Sequence, residues 1–347
     1  MLPFIYVVVA LLISLGAVIP AEAGLIINAT FDSSITSLSD AADIENTINA
    51  AIGVFQSTYS NPISVSIVFQ SGSGLGESQV GAYIQNYQTF YNDLVATNAN
   101  PAAIAGLTLN GGNSANNPIT NSSNIEVKSA NGRAVGIASD APLCNPIGSA
   151  GSLVCSNVEG GSGAVDGIIS LNTNITYPPQ PSGSPYYGLM SVTEHEIDEV
   201  LGLGSALGDC ANSGAHPCTS ISSANPAPED LFRYTGTGQF ASLSINCSNT
   251  ITPAYFSYTG ATDITDFNTA CNGADWADWK GGAAPQVQDA YGTPGAEPTY
   301  GANEIAAMSA IGYTLADPVP EPGTWLLLLT SLGLLAFARK RLSAETR

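Results

Sequence analysis

The chain has 347 residues, enough for one large domain or two ordinary ones, and its 44% apolar content can build a sizeable core. Charged residues make up only 10%, against roughly 25% in an average soluble domain, so the polar surface must come from Ser, Thr, Asn, Gln and Gly. Twenty-eight acidic side chains against eight basic ones give a formal charge of −20 at pH 7; such a body repels a phosphate backbone, which excludes nucleic-acid binding, and tolerates divalent cations.

Residues 2–20 are almost wholly apolar and end at the small-residue site Ala21-Glu22-Ala23. This predicts a signal peptide over residues 1–23, although no Lys or Arg precedes the apolar run; the rival reading is an uncleaved anchor. A single body is expected over residues 24–317. It opens with a strand over 25–31, followed by a helix over about 41–59, because Ile44, Ile48, Ile52, Phe55 and Tyr59 recur every three or four residues. Asn61-Pro62 stops that helix, and the alternation of Ile63, Val65, Ile67 and Phe69 predicts a strand. A second helix is expected over about 78–95, with Val80, Ile84, Tyr87, Phe90, Tyr91 and Leu94 on one side. Residues 98–163, heavy in Gly, Asn and Ser, read as loop. A strand follows at 167–172, then a helix at about 188–202. The order strand, helix, strand, helix, strand, helix predicts an α/β layout, a twisted mixed sheet with backing helices and a loop-rich C-terminal part.

Six cysteines, Cys144, Cys155, Cys210, Cys218, Cys247 and Cys271, form three local pairs when taken in order. No C-x2-C spacing supports a zinc finger, and an even count in an exported chain favours disulfides whose connectivity stays open.

The chemistry concentrates in Ser191-Val192-Thr193-Glu194-His195-Glu196-Ile197-Asp198-Glu199-Val200-Leu201-Gly202. On a helix His195 and Glu199 project from one face a turn apart, where an imidazole nitrogen and a carboxylate oxygen can share a zinc ion. Glu196 sits beside the metal, as a general base for water. For a third ligand Asp230 is the first choice, since a carboxylate suits zinc and Arg233 stands near it; His216 is the runner-up and Asp209 a distant third. Structural calcium bound by Asp263, Asp266, Asp275 and Asp278 is a lesser reading, because no regular calcium loop is present and surface polarity explains them. Arg233 reads first as an ion-pair partner of Asp230, Trp276 and Trp279 as packing residues, and Met308 as core.

The segment resembles the H-E-x-x-H helix of zincin peptidases, with Glu199 where the second His stands, and Gly202 resembles the glycine that follows in metzincins. The metzincin third-ligand position falls on Ser205, a poor zinc ligand. Over about residues 165–315 the chain is also similar to a family of PEP-CTERM-tailed metalloproteases. The ordered blocks are H-E-I-x-E-V-x-G at 195–202, Asp230-Leu231-Phe232-Arg233-Tyr234, Tyr255-Phe256-Ser257, Phe267-Asn268 and Asp275-Trp276-Ala277-Asp278-Trp279, with Asp289-Ala290 and Ala307–Tyr313 near the end. The resemblance implies a zincin/metzincin-like domain that hydrolyses a protein or peptide substrate.

Val319-Pro320-Glu321-Pro322-Gly323-Thr324, an apolar run over 325–338 and the basic end Arg339-Lys340-Arg341 complete the chain. The run is short for a permanent span. The tail at 318–347 closely resembles the PEP-CTERM signal of Gram-negative bacteria, which implies processing by an exosortase-type enzyme and delivery to the cell envelope, surface or matrix. The membrane would be met only through the terminal segments. The resulting expectation is an exported zinc metalloendopeptidase with Zn2+ on His195, Glu199 and Asp230; the alternative is a non-catalytic surface or adhesion protein on a zincin-like scaffold.

Overall fold

The computed structural model describes residues 24–138, 143–144, 164–207, 225–243, 251–271 and 273–317. The chain divides into a unit that runs to Leu315 and a second unit, Ala316–Arg347. The expected signal peptide, the tail, His216 and Asp209 lie outside the described residues. Among the described residues no helix is long and apolar enough to cross a membrane.

Strands β1 (Ile26–Phe31), β2 (Ser64–Ser71), β3 (Gly76–Val80) and β8 (Gly167–Leu171) make a mixed sheet in the order β1-β2-β8-β3. The first three in that order run parallel, with Ile27 opposite Val65 and Val68 opposite Ile168. β3 is the antiparallel edge, with Ser78 opposite Ile169. Every residue of β8 is buried, as a strand covered on both faces requires. After a single-turn helix α1 (Ser33–Thr36), α2 (Ala41–Thr58) buries Ile44, Ile48, Ala51, Ile52 and Phe55, the stripe that the spacing implies. It packs beside β1 and against α6 (Leu189–Leu201), which itself lies over β3 and β8.

The helix expected over 78–95 is three elements. β3 forms the sheet edge, β4 (Ala82–Asn86) pairs antiparallel with β5 (Asn124–Lys128), and only α3 (Tyr87–Thr97) is helical. The Asn86 side chain caps α3 by accepting from the Thr89 amide, which fixes the start of the helix nine residues late. Val80 and Ile84 fell in helical register with Tyr87 by coincidence; Ile84 is 55% exposed. The stretch read as loop after residue 98 also holds α4 (Pro101–Leu109), with Asn100 as N-cap and Pro101 in the first turn, and α5 (Ser129–Ala134). α4 is apolar nearly all round and so carries no amphipathic signal.

Short pairs β6 (Leu143–Cys144) with β7 (Ala164–Val165) and β9 (Thr176–Tyr177) with β10 (Tyr187–Gly188) flank β8 in the chain. The C-terminal part contains a 3-10 turn at Pro228–Phe232 and a four-stranded antiparallel sheet. Its strands are β11 (Arg233–Gly236), β12 (Gln239–Phe240), β13 (Tyr255–Phe256) and β14 (Thr265–Asp266), and α7 (Ala302–Ala310) closes the body. Trp279 is fully buried, with its ring centroid 4.9 Å from that of Phe267 and 5.8 Å from that of Phe256, so it packs as expected; Met308 is also in the core. Cys271 is disulfide-bonded, and the side chains of the other five cysteines lie outside the described residues.

α6 is seated on the sheet by a missing side chain. A Cβ on Gly167 would lie 2.4 Å from Val200 Cγ2. Gly167→Ala should therefore cost about 1–3 kcal/mol in urea denaturation, the range for overpacking, and Val200→Ala in the same chain should recover part of that loss.

Candidate metal centre

Ten of the thirteen residues of α6 are buried, so the helix runs through the interior and its polar side chains need partners. Its end is fixed twice. Gly202 turns away with φ +151, and a Cβ there would come within 2.9 Å of Asn131 and Ile311. Lys128 reaches from β5 and donates to the Glu199 carbonyl at 2.7 Å and to the Leu203 carbonyl, which satisfies the last turn and places a cation at the negative end of the helix.

On this helix His195 Nε2 lies 3.7 Å from Glu199 Oε1 and 3.8 Å from Asp278 Oδ2. One ligand atom from each of the three residues falls within 4.8 Å of the others. A tetrahedral zinc ion with bonds near 2.1 Å places its ligands about 3.4 Å apart, so these separations are close to what zinc requires. Each of the three residues also commits its other polar atom elsewhere. His195 Nδ1 is 3.0 Å from the Val287 carbonyl; a carbonyl only accepts, so Nδ1 carries a proton and Nε2 is the nitrogen that faces the two carboxylates. Glu199 Oε2 accepts from Ser78 Oγ on the sheet edge at 2.5 Å. Asp278 Oδ1 accepts from Gln288 Nε2 at 3.1 Å.

Glu196 is nearly buried and faces the same opening. The lack of a side chain at Gly76 makes its room, since a Cβ there would lie 2.2 Å from Glu196 Oε1. A cleft of about 1040 Å3 opens over the group, lined among others by Gly76, Ser78, Lys128, Asp275 and Tyr291.

Burial and the neighbouring charges together shift the titration of these groups. Burial, then repulsion from Glu199, raises the Glu196 carboxyl well above its ordinary range. Burial pushes Asp278 up to about 8, with the imidazole of His195 opposing the shift. For His195 burial alone would lower the pKa, but the carboxylates of Asp278, Glu196 and Glu199 override it and raise the group to about 10. One imidazole and two carboxylates gathered at this spacing make a donor set that suits a divalent cation.

The structure brings His195, Glu196 and Glu199 together as the spacing implies, and it puts Asp278 in the place expected for Asp230. Asp230 is spent on local structure: its carboxylate accepts from Ser205 Oγ, from the Ala206 amide at 3.1 Å and from the Ala227 amide at 2.8 Å. It caps the 3-10 turn and ties down the chain beyond the helix, which is also the role of Ser205. Asp278, read as surface polarity, is only 3% exposed. A signal for it existed: two large tryptophans bracket this acid, which marks a buried segment. Asp263, Asp266 and Asp275 belong to no metal-sized cluster among the described residues; Asp266 makes a surface ion pair with Lys280 at 3.4 Å.

Arg233 makes no ion pair with Asp230 among the described residues. Its guanidinium donates to the Trp276 and Asn268 carbonyls and lies 4.1 Å over the Phe267 ring. Asn268 donates from Nδ2 to the Asp275 carbonyl at 2.7 Å and from its amide to the Asp278 carbonyl at 2.7 Å. The conspicuous sequence blocks at 230–234, 267–268 and 275–279 thus meet in space and hold Asp278 in position.

A profile of the PEP-CTERM protein-sorting motif matches residues 318–341. The motif marks an exported protein directed to the envelope of a Gram-negative bacterium, and it implies recognition by exosortase-type sorting machinery. No curated protein and no solved structure matches the chain.

Behind the centre, Glu229 accepts from the Gly204 amide through Oε2, while its buried Oε1 has no partner. Burial raises its carboxyl from the ordinary range to about 8, partly offset by the Gly204 amide. A carboxyl raised in the folded state stabilises fully below its unfolded pKa, and that contribution is lost as pH rises through about 8. Glu229→Gln should therefore leave stability at pH 5 nearly unchanged and raise it at pH 9 by on the order of 2 kcal/mol, read from urea melts at both pH values.

Proposed function

We propose that the chain is an exported zinc metallopeptidase with a zincin-like catalytic body, in which His195, Glu199 and Asp278 hold the ion and Glu196 is the general base. The observation that carries this reading is the convergence of His195 Nε2 with carboxylate oxygens of Glu199 and Asp278 on the floor of an open cleft, with Glu196 beside them. The buried motif helix under a mixed sheet is consistent with a zincin-like fold.

When bound, the ion supplies Lewis acidity, polarising a peptide carbonyl and acidifying water. The chain's own groups do the rest. His195 offers Nε2 because Nδ1 is fixed on the Val287 carbonyl, and Glu199 and Asp278 offer the oxygens that Ser78 and Gln288 leave open. Glu196 takes the proton of the attacking water and returns it to the leaving amine nitrogen.

The test is zinc content and peptide hydrolysis measured on the same purified protein. Glu196→Gln should keep about one zinc per chain and lower hydrolysis by about 10²–10⁴-fold. His195→Ala should lose zinc and Asp278→Asn should bind it much more weakly, whereas Asp230→Asn should keep it and melt at a lower temperature. Undiminished hydrolysis in Glu196→Gln would refute the base assignment; no zinc in the unaltered protein would favour a non-catalytic surface protein. Gly76→Ala is a subtler probe: it should displace Glu196 and reduce hydrolysis at least tenfold while zinc content holds steady.

A further inference from the structure

The turn at Val287–Asp289 reaches two ligand side chains at once. The Val287 carbonyl accepts the His195 Nδ1 proton, and the next residue donates its carboxamide to Asp278. Gln288 is 2% exposed, and its backbone is held on both sides: its amide donates to Glu304 Oε1 at 3.2 Å and its carbonyl accepts from the Trp279 amide at 2.8 Å. Glu304 Oε1 also accepts from Trp279 Nε1 at 3.2 Å, and its other oxygen accepts from the Gly301 amide at 3.2 Å. One carboxylate in the first turn of α7 therefore ties the turn bearing Asp278 to the turn that orients it.

The Gln288 side chain is a costly choice for this place. Its Oε1 is buried without a partner, which a well-packed apolar residue would avoid. What the carboxamide provides is its other end. Asp278 has two oxygens and a soft terminal rotation, so either could swing toward the ion or away from it. With Oδ1 engaged by Gln288 Nε2, Oδ2 is the oxygen that faces His195 Nε2.

We propose that Gln288 is a positioning residue of the metal centre: its carboxamide fixes Asp278 with one oxygen aimed at the ion, and Glu304 fixes Gln288 from behind. The proposal rests on the reading of His195, Glu199 and Asp278 as a zinc centre. Ligand orientation by an outer partner of this kind is commonly worth 10–100-fold in metal affinity.

The test is Gln288→Met in the purified full chain, with zinc affinity measured by competition against a chromophoric chelator. Methionine fills a similar volume and removes the donor and the unmatched acceptor together. Zinc affinity should fall about 10–100-fold. Thermal unfolding of the zinc-stripped chain should stay unchanged or rise, the opposite of what a purely structural role would give. In an Asp278→Ala background the same substitution should change the residual affinity by less than about twofold, because the bond it removes is already gone. Should the Met variant fail to fold, Gln288→Asn, which draws the carboxamide back by one methylene, should show the same loss of affinity. Unchanged zinc affinity in the folded variant, or an equal loss in both backgrounds, overturns the proposal. A chain that takes up no zinc before any substitution, or one that keeps it after His195→Ala, defeats the metal reading and this proposal with it, and neither result involves a Gln288 variant.

Discussion

Three carboxylates and one imidazole meet in a single buried corner beside α6, and the cost of keeping charged groups there is the constraint to which everything around them answers. At an effective dielectric near 20, two like charges 4 Å apart repel by about 4 kcal/mol. Burial and crowding act together on the groups there: burial first, then neighbouring carboxylates, move Glu196 and Asp278 up, and the carboxylates drive His195 to about 10 against its own burial. A fold that keeps such groups together must either supply positive charge or hold them by force. The nearest lysine, Lys128, gives its protons to two helix carbonyls instead of to the acids.

The holding force comes from distant parts of the chain acting on one helix. The sheet edge contributes Ser78 and, through an absent side chain at Gly76, space for Glu196. β8 contributes Gly167, against which Val200 packs closely. The C-terminal part contributes Asp278, the Val287 carbonyl that engages His195 and the Gln288 carboxamide that engages Asp278. Contacts from several rigid elements hold these side chains, which is how a buried cluster keeps a precise geometry. The buried Arg233, with its pKa lowered to about 10 by desolvation, belongs to this framework because it grips the backbone from which Asp278 projects.

Local pattern revealed what local physics decides. The spacing of Ile44, Ile48, Ile52 and Phe55 gave α2 to within a residue, and the apolar run at 167–171 gave the central strand. His195, Glu196 and Glu199 were legible because four residues on a helix determine a direction in space. The partner of that pair was not, because Asp278 is far along the chain and its arrival depends on packing among Arg233, Phe267, Asn268 and Trp279. Asp230 looked more suitable by its proximity to a cation, yet capping a turn uses a carboxylate just as fully as a metal does. The division of 78–95 into two strands and a helix was hidden for a related reason. Apolar residues at helical spacing say nothing when an Asn cap and sheet pairing decide where the helix begins.

The order of residues along the chain has a bearing on export. Asp278, Gln288 and Glu304 all stand shortly before the sorting motif that begins at residue 318, whereas His195 and Glu199 come much earlier. A chain emerging N-terminus first presents the helix long before it can present the segment that completes and braces the cluster. The cluster of His195, Glu199 and Asp278 is therefore complete only when nearly the whole body has emerged.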